Sequence, residues 1–222
     1  MRRTLIAGLL ALLAVSAVEA RRQGKKAGEI TGDIYRDSKY GFELKIHGNW
    51  KHKIGDADAA VRISLIQRSF GIPVDFVDNK EYTTIPQLLV FVDTSSLGAH
   101  VFIDSLLSPN FKSDQKNDVL KEFVVLAEQE LVPLQRSRME IAGQSALLWK
   151  ARAHYKKDIP LSSSSTAVRA VRRSYGGAIA AVKVGNNIVL FHVMSEWEFF
   201  EPVLQEVLPM IESLKVLQEE ES

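Results

Sequence analysis

Two apolar runs, Ile179 to Val184 and Ile188 to Met194, flank Gly185-Asn186-Asn187. Gly and Asn tolerate the positive φ that tight hairpin loops require, so this stretch is the strongest hairpin signal in the chain and commits it to antiparallel pairing. Other segments carry the same period. Phe42, Leu44 and Ile46 alternate with Glu43 and Lys45, and Val61, Ile63 and Leu65 alternate with Arg62 and Ser64; both read as sheet edges or one-faced strands. Gln87 to Val92 is almost continuously apolar, as expected of a strand covered on both faces near the sheet centre. After the turn signal Ile141-Ala142-Gly143-Gln144, the series Ala146, Leu148, Lys150, Arg152, His154 alternates against Leu147, Trp149, Ala151, Ala153, Tyr155.

Helical spacing predicts two further elements. Leu120, Val124, Ala127 and Leu131 share one face of a helix expected between Asp114 and Leu131, halted by Pro133. Trp197, Phe200, Leu204, Val207, Ile211 and Leu214 mark a closing amphipathic helix, with Ser195 and Glu198 as its capping box and a kink expected at Pro209. The element order predicts an α/β (α+β) fold in which an antiparallel β-sheet is packed between helices, an α/β/α sandwich. With 222 residues, 46% hydrophobic and 25% charged, the composition is ordinary for a globular protein and excludes disordered, collagenous and multi-span membrane classes.

Arg2 and Arg3 precede an apolar stretch from Leu5 to Val18, and Val18-Glu19-Ala20 suits signal peptidase, so residues 1–20 read as a secretory leader. The competing reading is an uncleaved membrane anchor. Residues 21–33, rich in Arg, Lys and Gly, are expected to form a flexible basic arm; 34–216 a single domain with a Ser/Arg-rich loop at 156–174; 217–222 an acidic tail. Lys and Arg number 28 against 27 Asp and Glu; a leader holding Arg2, Arg3 and Glu19 takes two from the first count and one from the second, leaving a neutral mature protein with no global field for nucleic acid or acidic lipid. Cysteine is absent, which excludes disulfides, thiolate metal sites, cysteine nucleophiles and lipidation after the leader.

Motifs for chemistry are scarce. His47, His52, His100, His154 and His192 fall in no zinc-binding spacing, and Asp75, Asp78, Asn79 and Glu81 lack the ligand alternation of a calcium loop. Gly143-Gln144-Ser145 lacks the second glycine of a nucleophile elbow, and Gly176-Gly177 lacks the lysine of a phosphate loop. No catalytic residue, cofactor site or metal site is assigned. The one local feature that suits binding is the basic set Arg169, Arg172 and Arg173 after Ser162–Thr166, since guanidinium groups grip carboxylates or phosphates bidentately.

Tyr40-Gly41-Phe42-Glu43-Leu44-Lys45-Ile46 followed by Trp50, Ile141-Ala142-Gly143 opening an alternating strand, the paired strands around Asn186, and the ending Ile211-Glu212-Ser213-Leu214 together resemble PsbP-like proteins, typified by an extrinsic subunit of photosystem II. The resemblance implies a central antiparallel sheet packed between helices, in a fold group that also holds a Ran-binding protein and exported bacterial proteins. The expected function is an exported, periplasmic or extracellular, non-catalytic binding or accessory module that works through its surface, with a protein partner in the cell envelope or a membrane complex. The alternative is an exported hydrolase whose active site is assembled from distant loops.

Overall fold

The computed structural model describes residues 25–48, 50–67, 86–108, 130–160 and 168–217. In chain order its elements are β1 (Glu29–Thr31), β2 (Ile34–Asp37), β3 (Phe42–Lys45), β4 (Trp50–Ile54), β5 (Val61–Gln67), β6 (Gln87–Thr94), α1 (Ala99–Leu106), β7 (Glu130–Ile141), β8 (Gln144–Pro160), β9 (Val168–Val184), β10 (Asn187–Glu196), α2 (Trp197–Glu212) and β11 (Lys215–Val216). A seven-stranded sheet has the order β4-β5-β6-β10-β9-β8-β7, and a four-stranded sheet the order β1-β2-β3-β11. Every pairing is antiparallel.

The predicted hairpin joins β9 to β10, with Val184 opposite Asn187 and Gly185 at φ 57. The Ile141–Gln144 turn joins β7 to β8 and places both Ala142 (φ 52) and Gly143 (φ 71) in the left-handed region, the pattern of a type I′ turn. β6 is interior, as its apolar run predicts, and β5 is interior too: Val61–Gln67 pairs with β4 on one side and β6 on the other.

The pleat of the large sheet divides its side chains between two cores. On one face Leu88, Val90, Ala180, Val182, Val189, Phe191 and Val193 meet Phe200, Val203, Leu204, Val207 and Ile211 of α2, together with Tyr35, Phe42 and Leu44 of the small sheet. On the other face Phe91, Leu147, Ile179, Ala181 and Leu190 meet Ala99, Phe102, Ile103 and Leu106 of α1. One eight-residue helix covers that second face among the described residues, so the molecule is sheet-dominated rather than the α/β/α sandwich expected.

Several local expectations are corrected. Glu29–Thr31, assigned to the flexible arm, is a strand, and Ala27 just before it is buried. Leu131 and Pro133, the expected end of a helix, belong to β7, whose register shifts between Pro133 and Gln135; a proline at an edge-strand irregularity needs no ladder donor. Residues 114–129, the leader and 218–222 lie outside the described residues. Ser195 lies in β10, and α2 has Glu196 as its N-cap with no side-chain cap, so no capping box forms. α2 continues through Pro202 and Pro209, and the residues whose carbonyls they leave without a donor, Glu198 and Gln205, are exposed to water.

A buried ion pair joins the two sheets. Arg62 of β5 donates Nε to Asp37 Oδ2 of β2 at 2.6 Å, Nη1 to the carbonyls of Ala57 and Ala59, and Nη2 to the carbonyl of Ala27 and to Asp37 Oδ1. All five guanidinium donors are therefore used. The Tyr35 hydroxyl donates to Asp37 Oδ2 at 3.1 Å, and burial, reinforced by the Asp37 charge, holds its pKa above the ordinary phenol value. Arg62→Ala leaves Asp37 as an uncompensated buried charge; urea denaturation is expected to show a loss of about 3–5 kcal/mol. Ala142→Asn places a residue suited to the left-handed region in the β7–β8 turn and is expected to raise stability by up to about 1 kcal/mol in the same assay.

Candidate binding site

The pairings of β8 and β9 outlast those of their neighbours. Among the described residues, which resume at Glu130, β7 accompanies β8 as far as Glu130 opposite His154, and β10 accompanies β9 as far as Glu196 opposite Tyr175. Beyond those points six cross-strand pairs, from Tyr155 opposite Arg173 to Pro160 opposite Val168, continue among the described strands as a two-stranded ribbon about 20 Å long. The expected Ser/Arg-rich loop at 156–174 is thus mostly ladder, and only residues 161–167 lie outside the described residues.

Arg169 stands opposite Ile159, Arg172 opposite Lys156 and Arg173 opposite Tyr155. The strand period separates the three arginines: Arg169 and Arg173 fall at one set of alternate positions, Arg172 at the other. Together with Lys156 and Lys157 they put five cationic residues on the ribbon strands against one acidic residue, Asp158. Lys156 and Arg172 are directly opposed, and like charges at such positions destabilise a pair of strands.

At the ribbon's base a polar cluster continues the α2-covered face of the sheet. The Arg152 guanidinium lies 4.4 Å from the ring centroid of Trp197, the first residue of α2, and donates Nη2 to Ser174 Oγ at 3.3 Å. His154 is paired across the ladder with Ser174, and its Nδ1 is 2.8 Å from the same hydroxyl. One turn along α2, Lys150 Nζ reaches Glu201 Oε2 at 3.4 Å. Gly176, between Arg152 and Ser195 in the register, lets Phe200 lie on the strand: a Cβ there would sit 2.0 Å from Phe200 Cγ. Arg152 Nε and Ser195 Oγ are buried without a hydrogen-bond partner. Arg152 has no acidic partner among the described residues.

The Ser174–His154 contact is the arrangement nearest to a nucleophile and base. Ser174 sits in a regular stretch of ladder rather than on the strained turn that exposes a catalytic serine, and its neighbouring residues pair across the strands. The cluster holds a guanidinium over an indole ring, with its buried Nε unanswered, beside a hydroxyl and an imidazole. Sequence reasoning missed it, although the signal is visible. Ala146 and Leu148 are apolar, and from Lys150 the same alternate positions turn basic through Arg152 and His154.

Elsewhere the described residues offer a cleft of about 760 Å³ lined by Lys25, Lys26, Lys39, Asp58 and Arg62 among others. Its lysines are partly neutralised, Lys26 by Asp56 and Lys39 by Asp58, and Arg62 has no donor to spare. His47 and His52 are exposed, and no group of three or more potential metal ligands converges among the described residues. Asp75, Asp78, Asn79 and Glu81 lie outside them. No helix among them is long and apolar enough to cross a membrane.

No family model and no curated protein matches the chain. Among solved structures it is similar to a cyanobacterial PsbP (CyanoP) from Synechocystis, at 11% identity and a TM-score of 0.48 over 85% of this chain and 96% of that one. It is also similar to LpqN of Mycobacterium tuberculosis, described as involved in cell envelope biogenesis, at 9% identity and a TM-score of 0.46 over 80% and 83%. The Saccharomyces cerevisiae Ran-binding protein Mog1p follows at 10% and 0.44 over 86% and 97%. One of the three, the cyanobacterial PsbP, bears the name of the family that the sequence resembles.

His192 occupies β10 on the face opposite α2, between Leu89 and Ile179, and is buried. Burial pushes its imidazole down to about 3 from the ordinary 6.5. The unfolded chain therefore binds a proton that the folded chain refuses between those values, so the contribution is fully present above pH 6.5 and is lost as pH falls toward 3. Urea titrations from pH 7 to 4 are expected to show the folding constant falling by up to ten-fold per pH unit from this residue, with a shallower slope in His192→Leu.

Proposed function

We infer that the protein is an exported, non-catalytic accessory module that docks an acidic protein partner of the cell envelope through the β8–β9 ribbon, with Arg169, Arg172 and Arg173 as its binding residues. The observation that carries this reading is the ribbon itself. A two-stranded ribbon is marginal in water, and this one, which no other described strand flanks, opposes Lys156 to Arg172. Such a charge arrangement weakens the free protein and is relieved when an anionic surface lies against it. The mature chain as a whole is neutral and the rest of it is net negative, so the positive field is local to the ribbon and gives orientation as well as attraction.

A polypeptide suits the ribbon better than a lipid surface does. On the side that β10 vacates after Glu196, β9 presents backbone donors and acceptors from Ser174 outward that no described strand takes up. An extended acidic segment satisfies both the backbone and the charges. The leader read in residues 1–20 places this docking outside the cytoplasm.

The test is affinity purification of the exported, C-terminally tagged protein from its native host, with N-terminal sequencing of the bait. The wild type is expected to begin at Arg21 and to retain a stoichiometric partner, and Arg169→Ala/Arg172→Ala/Arg173→Ala to lose at least ten-fold of it. Equal recovery by the two proteins overturns the assignment of the ribbon.

A further inference from the structure

We propose that Arg152 is a carboxylate receptor, seating an acidic side chain of the docked segment at the foot of the ribbon. This rests on the docking reading above and adds a defined subsite to it. Arg152 stacks on Trp197 at 4.4 Å, which fixes the guanidinium plane, and Nη2 has a hydrogen-bond acceptor, Ser174 Oγ at 3.3 Å. Nε is buried with no acceptor. Elsewhere on this face cations are matched, as Lys150 is by Glu201. Here a half-buried guanidinium stands beside His154 with its buried Nε unanswered, and a carboxylate is the planar two-oxygen acceptor that fits such a fork.

The ladder sets the guanidinium at the ribbon's foot: Arg152 and His154 share one face of β8, Ser174 stands opposite His154, and its hydroxyl touches the guanidinium. An acidic segment lying along the ribbon beyond Trp197 brings a glutamate side chain toward this group. A flat bilayer does not reach a group set between the sheet and the first turn of α2, so an acidic polypeptide is favoured over anionic lipid.

The experiment titrates the mature protein with a ten-residue synthetic peptide of alternating Glu and Val, following the Trp197 indole N–H resonance assigned with Trp197→Phe. Wild type is expected to bind with a perturbed Trp197 signal, and Arg152→Gln, which keeps a donor for Ser174, to bind about ten-fold more weakly. Arg152→Lys is expected to recover only part of the loss, because an ammonium has no fork. If Arg169→Ala/Arg172→Ala/Arg173→Ala weakens the peptide and Arg152→Gln does not, the subsite is overturned and ribbon docking stands. If only Arg152→Gln weakens it, the subsite stands and the ribbon arginines do not. Absence of peptide binding, or retention of the protein by phosphatidylglycerol vesicles in preference to the peptide, overturns both.

Discussion

The Asp37–Arg62 pair is where the two sheets become one protein. Neither sheet can bury its inner face alone: the four-stranded sheet has strands of two to four residues, and its Tyr35, Phe42 and Leu44 need the large sheet and α2 to be dry. A buried ion pair is a costly way to join them, because both groups lose their hydration. Here the cost is offset by completeness. The guanidinium reaches two loop carbonyls and the carbonyl of Ala27, while Asp37 also accepts the backbone N–H groups of Lys39 and Tyr40 and the hydroxyl of Tyr35. The Tyr40 ring lies 4.7 Å from the guanidinium carbon on a further side. Directional bonds of this number admit one relative placement of the sheets, which apolar packing alone would leave less defined.

The opposite design appears where β8 and β9 leave the sheet. At Arg62 every donor is used; at Arg152 the buried Nε has no acceptor. At Asp37 the charge is answered within the chain; along the ribbon five cationic residues have one acidic counterpart in the same strands. Charges satisfied internally hold a fold together, and a buried guanidinium nitrogen with no acceptor is available to something else. The contrast between these two arginines, both on strands of the same sheet, distinguishes an architectural residue from a candidate binding residue more clearly than residue type or strand position does.

Much of the architecture is legible in the chain because burial writes itself into side-chain order. The hairpin at Gly185-Asn186, the interior strand Gln87–Val92 and the closing helix with Phe200, Leu204, Val207 and Ile211 are all found where their patterns place them. The failures have physical reasons as well. Leu131 and Pro133 read as a helix end because apolar spacing without a flanking turn signal does not separate a helix from an edge strand. α1 escapes because Ala99–Leu106 is eight residues long, barely two turns of pattern. The basic ribbon reads as a loop because Lys156, Lys157, Arg169, Arg172 and Arg173 interrupt any apolar alternation there.

What the sequence determined by itself is local: which segments pair or coil, where turns with positive φ fall, and that cysteine chemistry and a strong overall charge are excluded. Those properties depend on neighbours a few residues apart. Only the tertiary structure decided that Arg62 is an anchor while Arg152 is unanswered, that the three ribbon arginines divide between alternate strand positions, and that Trp197 meets a guanidinium 45 positions earlier in the chain. Each of those outcomes is set by strand register and by which elements end first, distances that close through space and leave no periodic trace along the chain.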